Sequence, residues 1–142
     1  MATLWLRHAP SSAAVARRSV AAAFQKAGLT SDQAYDAALI ASELVGNAVR
    51  HGLPLPSGHL AVEWTLGAEG YYTISVTDGG TSAEQITPQA ADTLDVSGRG
   101  LMIVAALCQD WGVARADGST TVWARGELPA HWARPTARTS LA

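Results

Sequence analysis

The stretch "ASELVGNAVRHG", residues 41–52, decides how the chain is read. Its small and apolar residues alternate as in the last turns of a helix, yet Gly46 and Asn47 stand in its middle. A glycine there costs about 1 kcal/mol relative to alanine, and asparagine is also a poor helix former. Glu43 and Asn47 are four apart, so both project from one face, one turn above the other. A carboxylate and an amide oxygen stacked in that way suit a hard cation and a hydroxyl to be activated. Magnesium takes few protein ligands and completes its octahedron with water and phosphate oxygens. The missing side chain at Gly46 leaves room for a close approach. The same residues also fit a solvated face whose glycine serves helix packing.

Outward from this stretch the helix extends back to "TSDQ", where Thr30 or Ser31 can cap and Asp32 complements the positive helix end. It stops at Gly52, with Pro54 and Pro56 beyond as breakers. Upstream, "SSAAVARRSVAAAFQKAGL" gives another helix, capped by Ser11 or Ser12 and stopped by Gly28, with Val15, Val20 and Phe24 in its apolar stripe. "TLWLRHA" before it alternates as a first strand over 3–9, with His8 outward. Downstream, "HLAVEWTL" and "YYTISVTD" alternate at period two around "GAEG" and predict a hairpin. Residues 79–100 keep no period; a stretch of that length in a compact domain signals a lid, a binding loop or a link. "LMIVAALCQ" reads as a short buried helix, and "WGVARADGSTTVWARG" as a second hairpin around Asp117-Gly118.

Strands that come in hairpins favour an α+β class over a doubly wound one. The expected fold is a two-layer sandwich, a mostly antiparallel sheet with about three helices on one face. One domain over 1–128 is expected, followed by a flexible tail over 129–142. A length of 142 residues fits that single core, and 48% hydrophobic against 15% charged residues excludes a disordered chain. A net charge of −2 with a pI near 6.0 leaves no footprint for nucleic acid or an anionic membrane. The single cysteine, Cys108, suits a reducing interior, and no apolar run reaches the roughly 20 residues of a membrane span. The N-terminus turns polar too early for a signal-peptide core, so cytoplasm is the expected compartment. Trp5, Trp64, Trp111 and Trp123 fall on strands and read as sheet packing, with Trp5 on an edge strand that could serve a partner.

Two further clusters carry chemistry. In "SVTDGG", residues 75–80, Asp78 ends a strand and two glycines follow. A carboxylate there accepts hydrogen bonds from an exocyclic amine while glycines let a flat ring lie against the backbone; the same dipeptide also makes an ordinary turn. In "SGRGLMIV", residues 97–104, Gly98 and Gly100 flank Arg99 just before an apolar helix. Free amides at a helix start plus an arginine form a phosphate cradle, and the alternative is a glycine-rich lead into a core helix.

Glu/Asn on a helix, Asp-x-Gly after a strand and Gly-x-Gly before a helix, in that order, resemble the N, G1 and G2 boxes of the GHKL ATPase superfamily. "SELVGNAVRHG", "GRGLMIVAALCQDWGV" and "TTVWA" resemble more narrowly its small stand-alone anti-sigma-factor serine/threonine kinases, over roughly residues 11–126. The resemblance implies a Bergerat-type ATP-binding fold with ATP and magnesium as ligands. It implies Glu43 as general base and Asn47 as the residue binding the nucleotide's magnesium. Asp78 would hold the adenine amino group, with Gly80 making room. Gly98, Arg99, Gly100 and Leu101 would contact phosphates, and Thr121 would support the adenine site. The G1 pattern departs from Asp-x-Gly-x-Gly at Ser82, and the lid lacks a lysine, which leaves phosphate charge to Arg99 and the metal.

The implied activity is transfer of the γ-phosphoryl group to a serine or threonine of a partner protein, an anti-sigma-factor antagonist, in partner switching that controls transcription. The acceptor is expected in trans. The first helix bears no histidine, and His8, His51, His59 and His131 read as surface or helix-end residues. Pairing of two copies is implied by the resemblance alone. A different class of reading is a catalytically weak, nucleotide-dependent module that sequesters a sigma factor or another regulator; a third is a domain that shares the fold without using ATP.

Overall fold

The computed structural model describes residues 1–80 and 96–132, those at 68 and 96–100 by backbone alone. Strand β1 (Ala2–Arg7) opens the chain. It stops short of the expected residue 9 because Ala9 N turns back to Arg7 O (2.9 Å) and Ser12 Oγ donates to the same carbonyl (2.6 Å). That turn launches α1 (Ser12–Lys26), which buries Ala16, Val20 and Phe24, one per turn.

Helix α2 (Ser31–His51) begins with a complete capping box: Gln33 N donates to Thr30 Oγ1 (3.2 Å), and Thr30 N donates to Gln33 Oε1 (2.9 Å). It ends where Gly52 N reaches Ala48 O (2.8 Å). Ala34, Ala37, Ala38, Ala41 and Ala48 are buried along it. Their small side chains let α1, the sheet and the last helix all approach closely, so α2 is the central helix of the layer.

Strands β2 (His59–Ala68) and β3 (Tyr71–Asp78) form the first hairpin, with Glu69 and Gly70 both at positive φ (56° and 83°) as a two-residue turn of matching twist demands. Strands β4 (Asp110–Ala116) and β5 (Ser119–Glu127) form the second. Among the described residues the sheet has five strands in the order β1-β2-β3-β5-β4, every pairing antiparallel. Period-two burial in β3 and β5 turns Tyr72, Ile74, Val76, Val122 and Ala124 toward the helices. The Phe24 and Tyr72 rings meet edge to face, centroids 5.2 Å apart. The expected α+β sandwich with its helices on one face is the architecture found.

Helix α3 (Val96–Leu107) starts earlier than the sequence predicts, so Gly98 and Gly100 lie inside its opening turns rather than before them. Leu101 and Val104 are buried against the core (2% and 0% exposed), and that packing outweighs the poor helix propensity of two glycines. Beyond β5, Leu128 is buried and Trp132 Nε1 donates to Ala27 O (3.0 Å), which ties the chain back to the end of α1. The rest of the expected tail, 133–142, lies outside the described residues. No described helix is long and apolar enough to cross a membrane.

Candidate functional site

Positions 43, 46, 47 and 50 share one stripe of α2 by helical periodicity. Asn47 is 1% exposed, and among the described residues neither its Nδ2 nor its Oδ1 has a hydrogen-bond partner. An unsatisfied buried amide costs about 1–3 kcal/mol, so an apolar residue would serve a purely structural helix better. Glu43, one turn earlier, is half-buried. The glycine between them makes room for an arginine: a Cβ on Gly46 would lie 3.3 Å from Arg50 Nη1, because the guanidinium folds back over that position. Arg50 thus brings positive charge to the stripe. Its i+3 spacing from Asn47 is the sequence signal for that placement.

The end of α2 meets the end of β3. A Cβ on Gly52 would overlap Asp78 Oδ2, so the helix terminus backs directly onto that carboxylate. Asp78 is 2% exposed, and its Oδ1 accepts from Gly80 N (2.7 Å). Burial pushes the Asp78 carboxyl above the ordinary carboxylate range, while the Gly80 amide and the nearby His8 pull it partly back. Gly80 adopts φ +107°, open to glycine at no steric cost, and among the described residues nothing stands where its side chain would be. The connection is stitched twice more: Gly79 N donates to Leu53 O (2.6 Å) and Leu53 N to Gly80 O (3.1 Å).

Across the β3–β5 ladder Asp78 pairs with Thr120, and Thr77 pairs with Thr121. Thr120 is buried on the Asp78 side (2% exposed), whereas the Thr121 hydroxyl lies on the opposite face, 2.7 Å from that of Thr77. The hydroxyl beside Asp78 therefore belongs to Thr120, one position before the expected Thr121. Two adjacent threonines gave the sequence no means of choosing; only strand register does.

The third cluster is brought in less completely. Gly98, Arg99, Gly100 and Leu101 fall in the opening turns of α3, which packs along α2. The Leu101 side chain is a core residue, so any contact it makes with a ligand is through its backbone. The side chain of Arg99 and residues 81–95, including Ser82 and most of the expected lid, lie outside the described residues. Among the described residues no group of three His, Cys, Asp or Glu side chains gathers to hold a metal. A cation at Asn47 would draw its other ligands from phosphate oxygens and water. His8 is not the exposed strand residue expected: it lies just past β1, half-buried, with Nε2 2.8 Å from Gly52 O.

What converges is a buried carboxylate and hydroxyl at one end and a carboxamide, a carboxylate and a guanidinium along the adjoining helix. Such a set suits a ligand with a flat amine-bearing ring and a phosphate chain. A family model, the histidine kinase-like ATPase domain, matches residues 6–125. No curated protein matches the chain. Among solved structures it is similar to the RsbU and RsbW domains of Rv1364c from Mycobacterium tuberculosis, with TM-score 0.67 and 22% identity over 94% of this chain. The chain spans only 35% of that protein's length. It is also similar to the SiaB-SiaC complex from Pseudomonas aeruginosa (TM-score 0.60, 14% identity, 90% of each chain). A third is the histidine kinase domain of the blue-light activated histidine kinase EL346 from Erythrobacter litoralis (TM-score 0.51, 19% identity, 70% of this chain and 46% of that one). At these identities the solved structures speak for the fold alone. The family model spans most of the chain, and the protein belongs to the histidine kinase-like ATPase domain family.

Proposed function

We propose that the chain binds ATP with magnesium and transfers the γ-phosphoryl group to a serine or threonine of a partner protein, an anti-sigma-factor antagonist, within a partner switch controlling transcription. The observation that carries the reading is Asn47, a carboxamide held 1% exposed with both polar atoms unpartnered among the described residues, one turn from Glu43. Its donor set fits a phosphate-bound divalent cation. Magnesium, when bound, supplies neutralisation of the triphosphate charge.

The residues then divide the work. Asp78, ionised, accepts the adenine amino group, and Thr120 offers a hydroxyl beside it. Asn47 orients the phosphate end, and Arg50 adds the positive charge that a lid without lysine lacks, together with Arg99. Glu43 takes the proton of the incoming hydroxyl as the phosphoryl group passes to it. Phosphoryl transfer needs placement and charge compensation more than covalent help from the protein, so one acid and one carboxamide on a rigid helix suffice. Two solved structures support a setting beside other proteins: one holds SiaB with SiaC, the other an RsbU domain next to RsbW.

Thermal unfolding of the full chain with and without Mg-ATP tests binding; nucleotide at 100 times its dissociation constant should add about 2.7 kcal/mol. Labelled ATP, mixed with proteins captured from the native cell in the presence of ATP, tests transfer. Glu43→Ala should keep the thermal shift and lose the label transfer. No shift at millimolar nucleotide would sink the reading. Capture without label transfer would leave the alternative, a nucleotide-dependent module that sequesters its partner.

A further inference from the structure

His8 lies on no element of the three nucleotide-binding clusters, yet it reaches the adenine end of the site. A carbonyl oxygen only accepts, so the 2.8 Å contact with Gly52 O fixes the His8 proton on Nε2. The Gly52 carbonyl belongs to the residue whose Cα stands against Asp78 Oδ2. The next residue, Leu53, holds Gly79 and Gly80 through two backbone hydrogen bonds, and Gly80 N in turn holds Asp78 Oδ1. The carboxylate is thus held between two segments, 52–53 and 79–80, and His8, just past β1, holds the first of them through its imidazole while its own amide reaches Gly58 O (3.4 Å).

We infer that His8 is a positioning residue that sets purine specificity, by holding Gly52 so that the Asp78 carboxylate faces a 6-amino group and rejects a 6-oxo group. The inference rests on the nucleotide-binding reading above. A 6-amino group donates to a carboxylate, whereas a 6-oxo oxygen sets lone pairs against lone pairs. Discrimination of this kind needs a fixed acceptor, because a carboxylate free to turn away loses the penalty against the wrong base along with the bond to the right one. Burial favours the protonated carboxyl, which could donate to a 6-oxo oxygen; the Gly80 amide and, after it, the proximity of His8 oppose that protonation.

The test is calorimetric titration of the full chain with Mg-ATP and with Mg-ITP, its 6-oxo counterpart, for wild type, His8→Leu and His8→Gln. Glutamine carries its Nε2 about as far along the side chain as the imidazole does, so it keeps the donor without the ring. The expected result is that His8→Leu weakens ATP about 10-fold and changes ITP less than about 2-fold, the loss of one specific hydrogen-bonding partner. His8→Gln should restore most of the preference. Gly52→Ala, which displaces Asp78 from the other side with His8 intact, should lose discrimination in the same way and serves if His8→Leu unfolds. Equal weakening of both nucleotides, or a preference unchanged in His8→Leu, would overturn the inference. A wild-type chain that binds neither nucleotide would overturn the nucleotide reading itself, which is a distinct outcome.

Discussion

Asp78 and Thr120 face each other across the β3–β5 ladder on the buried side of the sheet, while their neighbours Thr77 and Thr121 pair hydroxyl to hydroxyl on the other side. Thr120→Val should weaken ATP binding without unfolding the protein, since valine keeps the shape. Thr121→Val should leave ATP binding within about 2-fold and cost only the net worth of one hydrogen bond, about 1 kcal/mol. Titration calorimetry on the pair decides it: a larger binding loss for Thr121→Val would return the role to that residue.

Asn47 is the place where the proposed function conflicts with stability. Asn47→Leu removes a buried amide that is unpartnered among the described residues and fills a similar volume, so it should raise unfolding stability by about 1–2 kcal/mol. The same variant should show no thermal shift with Mg-ATP. Chemical denaturation with and without nucleotide reads both effects.

Asp78 titrates with a definite sign. Its folded-state value lies above the ordinary one, so the folded protein holds that proton more tightly than the unfolded chain. The stabilisation from this group is complete below the ordinary carboxylate value and is lost as pH rises through the raised value. Asp78→Asn should therefore be more stable than wild type at neutral pH, with the difference shrinking on acidification. Nucleotide affinity should move the other way in wild type, falling as the carboxyl takes up its proton. Unfolding curves across the acidic range, paired with binding at each pH, give the comparison.

The boundaries of α2 were legible because each end carries its own chemistry, a Thr30/Gln33 box and a glycine stop. Both hairpins were legible from alternation and their turn residues. The start of α3 was not, because local propensity argued against helix at Gly98 and Gly100 and burial of Leu101 and Val104 prevailed. Glu43, Asn47 and Asp78 stand out in the sequence by spacing and resemblance. The places of Thr120 and His8 are not legible for a common reason: each depends on what lies across a ladder or across the 44-residue gap between His8 and Gly52, which one-dimensional spacing does not report. The place of Arg50, one helix turn beyond Gly46, is legible from spacing.

Tyr72 supplies a check on the core far from any ligand. Its hydroxyl is pushed up to about 12, chiefly by burial under the helices. The neutral ring is preferred in the folded state, so stability from this group is intact below pH 10 and drains away as pH climbs toward the raised value. Two pKa units correspond to about 2.7 kcal/mol. Tyr72→Phe should flatten the alkaline end of the stability profile, measured by denaturant unfolding between neutral pH and the alkaline limit.

Gly46→Ala weighs propensity against the site. Alanine gains about 1 kcal/mol in a helix interior, and the nearest group its methyl meets is the tip of the exposed Arg50 side chain, which can shift. The variant should unfold at higher denaturant and bind ATP more weakly, because Arg50 is displaced from the stripe.

The Thr30 capping box also acts at a distance. It anchors the start of a rigid rod, and the rod's far half carries Glu43 and Asn47. One residue inserted or deleted between the anchor and that half would swing both side chains by about 100° around the axis, in one sense or the other, away from the face they occupy. Loop length on either side of α2 should therefore tolerate change far better than the number of residues from Thr30 to Asn47.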